Sequence, residues 1–153
     1  MFIRRYAIAF LMFLGLAAHA ALPVNTLKNS VFSSVTDTAI NGYDSVAYFT
    51  ESKPVKGNDA FVSQWKGAKW KFATQANLDQ FKSNPDKWSP QYGGYCAYGV
   101  ANDNLVKVDP DQFTVLAGKL YLNFNASIQK DWLKDTAGFI KAADSKFANL
   151  LKK

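Results

Sequence analysis

The chain is poor in the residues that do most side-chain chemistry. Among its 153 residues there are one cysteine, one histidine and two methionines. A single cysteine excludes a disulfide framework, a CxxC redox pair and any multi-cysteine zinc site. Acidic residues are also scarce: 12 Asp and Glu stand against 18 Lys and Arg, a formal net charge of +6. Proline and glycine, at 5 and 9, are too few for a fibrous or low-complexity chain. Apolar residues reach 48% and aromatics 15%, which is a globular balance and not a disordered one. The length fits one domain of ordinary size.

The scarcity sharpens at the N-terminus. Arg4 and Arg5 form a basic start, an apolar run follows over 6–16, and Ala18-His19-Ala20 closes it with an A-x-A pattern. These are the three parts of a secretory signal peptide, predicted to be cleaved after Ala20. The run is short of the ~20 apolar residues of a membrane span, and no stop-transfer pattern follows. No cysteine follows it either, so a lipoprotein anchor is not expected. Removal of 1–20 takes away His19, Met1 and Met12, the only residues of their kinds. The expected mature chain of 133 residues (153 less 20) keeps 16 Lys and Arg against 12 Asp and Glu, a charge of +4. A Ser-His-Asp triad or a Cys-His pair cannot form within it. The imidazole and thioether ligands that suit copper are missing, and Cys96 is its only thiol. No later segment is long and apolar enough to span a membrane. Lys66, Lys69 and Lys71 lie among tryptophans, but lysines spaced this way form a solvated face, and an exported protein seldom meets nucleic acid.

Residues 21–40 lack a sustained period and are read as a leader lying on or near the domain, which is expected over 41–153. Asn41-Gly42 is a turn signal, the apolar run 46–49 is of strand type, and 51–59 is a polar loop. Alternation over 61–74 around Lys66-Gly67 predicts a β-hairpin. Thr74 is placed to cap a helix to about Ser83, with Leu78 and Phe81 inward and Asn84-Pro85 as its stop. Residues 91–104 read QYGGYCAYGVANDN, with three tyrosines and three glycines around the thiol. Gly93, Gly94 and Gly99 do not fit a dinucleotide fingerprint, because no strand clearly precedes them and no helix clearly follows. Asp109-Pro110-Asp111 is a turn before a second hairpin over 113–124 around Ala117-Gly118-Lys119. Asn125 caps a helix to about Lys134, and Asp135 caps another to about Leu151, with Phe139, Ala143, Phe147 and Leu150 on one face. The same Asn125-Ala126-Ser127 matches a glycosylation sequon, which the cap outweighs. The two hairpin-then-helix units suggest a repeat without establishing one. The fold class is α+β: small antiparallel β-hairpins, helices packed on one face and a C-terminal helical segment.

Four segments, NGYDSVAYF from Asn41, FVSQWKGAKWKFAT from Phe61, FKSNPDKWSPQYGGYCAYGV from Phe81 and GKLYLNFN from Gly118, come in the order seen in exported YHS domain proteins. The chain resembles that family over most of 40–145. The resemblance implies a small α+β domain in the periplasm. The wider YHS group overlaps with metal-associated domains that carry F-C-S-x-x-C before a helix, both cysteines being metal ligands. The matching residues here run Phe72-Ala73-Thr74-Gln75-Ala76-Asn77, so both cysteine positions are changed, to Ala73 and Asn77. The metal role does not carry over at that site. Cys96, in the GGYCA segment shared with the exported branch, is the remaining soft ligand.

Three readings of Cys96 stand side by side: a buried small hydrophobe, a ligand for a metal ion or heme with oxygen partners, or a reactive thiol. Tyr92, Tyr95 and Tyr98 recur every three residues and form either a packed aromatic cluster or the wall of a pocket for a flat or apolar ligand. Gly93 and Gly94 serve a tight turn or a close approach of backbone to a ligand. Tyr43-Asp44 is an Asx-type turn or brings a carboxylate to Cys96. Trp65, Trp70, Trp88 and Trp132 are assigned to the core. Three function classes follow: a non-enzymatic exported binding or accessory module for a small ligand or metal near 93–98, a thiol-based redox or metal enzyme centred on Cys96, and an interaction module for an envelope protein.

Overall fold

The computed structural model describes residues 23–26 and 37–153. The signal peptide read at 1–20, and most of the leader read at 21–40, lie outside the described residues.

A 3₁₀ turn at Ala39–Gly42 places Ile40, Asn41 and Gly42 at positive φ (39°, 56° and 78°). Asn and Gly tolerate this region, whereas a β-branched residue there is an outlier. Ile40 is 1% exposed, so burial in the core offsets the strain. The run read as a strand at 46–49 is instead a short helix, α1 (Ala47–Thr50). The cause is local: Asp44 Oδ1 accepts from the Val46 and Ala47 N–H groups at 2.9 and 3.2 Å and fixes a helical first turn. So short an apolar run does not declare its own period.

β1 (Asn58–Trp65) and β2 (Ala68–Phe72) form an antiparallel hairpin. Lys66 and Gly67 sit at φ 48° and 78°, the double left-handed turn that matches strand twist. Ala68, Trp70 and Phe72 are buried, while Lys69 and Lys71 between them pair with Asp37 and Asp59 at 3.1 and 2.8 Å. Thr74 caps α2 (Gln75–Ser83) through the Asn77 N–H, and Leu78 and Phe81 point inward as the spacing predicts. The Phe81 ring lies 5.0 Å from Trp70 and 4.9 Å from Phe72. Asn84 caps the short α3 (Pro85–Trp88).

The same path is then walked again. A second 3₁₀ turn, Gln91–Gly94, puts Tyr92, Gly93 and Gly94 at φ 55°, 61° and 85°. It leads into α4 (Ala97–Ala101), β3 (Asp109–Leu116), β4 (Lys119–Asn123) and α5 (Ala126–Trp132). The hairpin turn is Ala117-Gly118 at φ 50° and 72°, and Asn125 caps α5 through the Ile128 N–H at 2.9 Å. Asn58 to Asp109, Ala68 to Lys119 and Thr74 to Asn125 are all steps of 51 residues. Both hairpins slip register at one place, between Asn58 and Val62 and between Asp109 and Phe113. At that slip Asn58 accepts from the Ala60 N–H and Asp109 from the Asp111 N–H. The turn expected at Asp109-Pro110-Asp111 is therefore a bulge inside β3. Upstream the step is 52: Tyr43 N–H donates to Ile40 O as Tyr95 N–H does to Tyr92 O. Asp44 N–H donates to Val55 O as Cys96 N–H does to Val106 O, the donors 52 apart and the acceptors already 51. The chain thus contains two copies of one supersecondary unit, which the sequence only suggested.

One core is shared by both units, with Trp70, Phe72 and Phe81 from the first and Cys96, Leu120 and Leu122 from the second. Tyr48 crosses between them, donating to Pro110 O at 2.9 Å with its ring 5.0 Å from Phe113. The second unit has a further core on its other side, closed by α6 (Thr136–Leu150), where Tyr92, Tyr121 and Trp132 meet Ala143 and Leu150. The α+β class holds as read: two small antiparallel hairpins, helices and a C-terminal helix. No helix among the described residues is long and apolar enough to cross a membrane.

Candidate functional site

Asp44 and Cys96 hold the same place in the two units. Asp44 is 0% exposed. Its Oδ1 accepts from the Val46 and Ala47 N–H groups, and its Oδ2 from the Ala73 N–H at 2.9 Å and Asn77 Nδ2 at 2.7 Å. A buried carboxylate is tolerable when its lone pairs are met by donors, as here. Ala73 and Asn77 are the positions where the resembling metal-associated domains carry cysteines. In this chain one gives its backbone N–H and the other its side-chain amide to Asp44.

Cys96 is also 0% exposed. The backbone N–H groups of Tyr98, Gly99 and Phe124 stabilise its charged form, and the Gly99 contact measures 3.4 Å. They correspond to Val46, Ala47 and Ala73 of the first unit, and of the three the Gly99 N–H makes the hydrogen bond to the sulfur. Burial outweighs these donors and pushes the thiol above its ordinary range, so it stays protonated. Asn123 lies against the sulfur, with Oδ1 3.7 Å from Sγ and 3.4 Å from the Tyr98 N–H. Asn123 is 0% exposed and its Nδ2 has no acceptor among the described residues. Asp44 and Cys96 make no hydrogen bond to one another; each is satisfied within its own unit. Asn123 was missed in the sequence, although a lone amide in the apolar run Leu120–Phe124 was a signal.

The three tyrosines all face α6. Tyr92 donates to Asp144 Oδ1 at 2.9 Å, and its ring lies 5.7 Å from Phe147. Tyr95 lies 6.5 Å from Phe147 and Tyr98 5.0 Å from Phe139. Burial pushes the Tyr92 hydroxyl far up, with the Asp144 carboxylate adding to the shift, and burial raises Tyr95. Gly93 and Gly94 do admit a close backbone approach, but from this same chain. Asn25 N–H donates to Gly93 O at 2.8 Å and Asn25 Nδ2 to Gly94 O at 2.9 Å. A Cβ on Gly93 would collide with Pro23 O. Tyr43 carries the Lys56 ammonium over its ring at 4.7 Å.

A cleft of about 490 Å³ opens beside the second 3₁₀ turn. Trp65, Tyr92, Gly93 and Phe147 line it, and the Lys66–Asp86 ion pair, 3.0 Å apart, sits at it. Of the eight candidate residues, Tyr92 and Gly93 therefore reach this cleft, while Tyr43, Asp44, Gly94, Tyr95, Cys96 and Tyr98 do not. Trp65 and Phe147 were read as core and helix-face residues; only the fold brings them together. Among the described residues no three His, Cys, Asp or Glu side chains group as a metal would require.

No curated protein matches the chain, and no solved structure does. A YHS domain is found at residues 46–92, which spans α1 to the second 3₁₀ turn, so that the first unit from α1 on carries the match and the second unit beyond Tyr92 does not.

Proposed function

We propose that this chain is an exported, non-enzymatic accessory module that binds a small, flat, partly apolar ligand in the cleft between the first hairpin and α6. The cleft is the observation that carries the reading. Its aromatic walls at Trp65, Tyr92 and Phe147 suit an apolar ring, and the Lys66–Asp86 ion pair at its edge offers polar contacts to the ligand's rim. The YHS domain at 46–92 supports a metal-related module in general terms. The basic, apolar and A-x-A pattern of residues 1–20 supports export. The non-enzymatic reading is supported by Cys96, a buried thiol held protonated, with no histidine after His19 to act as its base.

The test is a fluorescence titration of the purified full chain with anilinonaphthalene sulfonate, a flat aromatic with one negative charge. One saturable site is expected, abolished by Ala148→Trp, which fills the cleft from an exposed position. Binding that never saturates, or that ignores Ala148→Trp, overturns the reading. A Soret band, or stoichiometric metal lost in Cys96→Ser, would replace it with a heme or metal role for Cys96.

A further inference from the structure

The backbone around residue 96 repeats the one that holds the Asp44 carboxylate, and a neutral thiol stands in it. In the first unit the same frame, three backbone N–H groups and one asparagine amide, closes on a carboxylate. In the second unit the Gly99 N–H meets the sulfur at 3.4 Å, the Tyr98 N–H beside it is taken by Asn123 Oδ1 at 3.4 Å, and the buried Asn123 amide has an Nδ2 without an acceptor among the described residues. We propose that Cys96 is an oxidation site, carried by hydrogen peroxide to a sulfinate that occupies this frame as the Asp44 carboxylate occupies its own. A cysteine sulfinate has the shape of an aspartate, with sulfur in place of the carboxyl carbon. Its oxygens take the N–H groups of Tyr98, Gly99 and Phe124. A half-turn of the Asn123 amide gives Nδ2 to one of them, matching Asn77 on Asp44.

The chemistry is two successive oxygen transfers. The sulfur attacks one peroxide oxygen, the O–O bond breaks, an S–O bond forms, and the other oxygen leaves as water with the thiol proton. A second peroxide repeats the step on the sulfenic acid, and the product releases a proton to become the sulfinate. Each step oxidises sulfur by two electrons and reduces one peroxide to water. Because Cys96 is fully buried, peroxide enters through local openings, and the reaction is slower than at an exposed thiol.

This inference does not rest on the cleft reading. The folded full chain is treated with hydrogen peroxide, digested and examined by mass spectrometry, and its thermal midpoint is recorded. Two added oxygens on the Cys96 peptide, not removed by thiol reductant, are expected while the protein stays folded. Cys96→Asp mimics the product and is expected to melt no lower than Cys96→Ser. Adding Asn123→Leu to Cys96→Asp is expected to lower the midpoint by about 4 °C or more, through loss of the fourth donor. A folded, treated protein whose Cys96 remains a thiol overturns the proposal, and so does a Cys96→Asp variant that melts below Cys96→Ser.

Discussion

In the first unit the residue at the centre of the frame is a carboxylate with four donors, two from its own turn and two from the start of α2. In the second unit, on nearly the same backbone, it is a neutral thiol with weaker contacts of 3.4 and 3.7 Å and an asparagine amide only half used. The difference shows which part of the design is indifferent to sequence. Backbone N–H groups supply three of the four donors to Asp44 and the Gly99 donor to Cys96, so this part of the frame does not depend on which side chains surround it. The central acceptor is the part that matters, because it decides whether those donors are satisfied. The second unit makes up for its weaker centre from outside. It has α6 against it, the Tyr92–Asp144 bond and the Lys146–Asp103 ion pair at 2.7 Å.

The largest expected effect tests that asymmetry. Asp44→Ala leaves four donors without their acceptor, three of them in or at fully buried segments. At about 1–3 kcal/mol for each unsatisfied buried group, the loss is expected to exceed about 4 kcal/mol, a large part of a typical domain's stability. Cys96→Ala removes one sulfur and a weak acceptor, and is expected to cost about 1–2 kcal/mol. Urea unfolding midpoints of the two variants give the comparison. Equal losses would mean that the second frame depends on its sulfur as the first depends on its carboxylate.

Local signals explain why much of this was legible. The caps at Thr74, Asn125 and Asp135 act on N–H groups three residues on, and the turns at Lys66-Gly67 and Ala117-Gly118 are two residues long. Interactions of that range are written in adjacent letters. The repeat was not legible, because what recurs is backbone conformation. Gly42-Tyr43 and Gly94-Tyr95 match, but Ile40 pairs with Tyr92, Asp44 with Cys96 and Asn77 with Ile128. The partner of Cys96, Asn123, lies 27 residues away, and the bond from Asp44 to Asn77 spans 33. The helix at Ala47–Thr50 departs from the strand expected there for a related reason: the apolar letters declare no period of their own, and the Asx-type turn expected at Asp44 is what starts them as a helix.

A second contrast lies in proton linkage. Where the first unit has Ile40, the second has Tyr92, whose hydroxyl is driven up from an ordinary value near 10 by burial and by Asp144. The fold holds the neutral form, and the unfolded chain ionises first. Stability is therefore intact below about pH 10 and falls as pH rises above it, by up to about 1.4 kcal/mol per pH unit for this group. Tyr92→Phe is expected to cost about 1 kcal/mol at pH 7 through the lost bond to Asp144. It is also expected to make the alkaline decline shallower, with the part due to Tyr48, Tyr95 and Tyr121 remaining. An unchanged alkaline slope in denaturant melts between pH 9 and 11 would remove Tyr92 from the account.

The smallest expected effects lie in the turns, where the two units are most alike. Lys66 and Ala117 both hold φ near 50°, a region that asparagine tolerates better than lysine or alanine. Ala117→Asn is therefore expected to stabilise by several tenths of a kcal/mol, since Ala117 is exposed and only its backbone conformation changes in comfort. Lys66→Asn relieves the same strain but gives up the ammonium over the Trp65 ring at 4.1 Å and the pair with Asp86. Each of those exposed contacts is worth under about 1 kcal/mol, so the two terms nearly cancel and the net change is expected to be close to zero. A gain at both positions would show that the Lys66 contacts contribute nothing in solution. A gain at neither would show that the hairpin turns are not strained, and that the second unit's tolerance of alanine there comes from the strands that the turn joins.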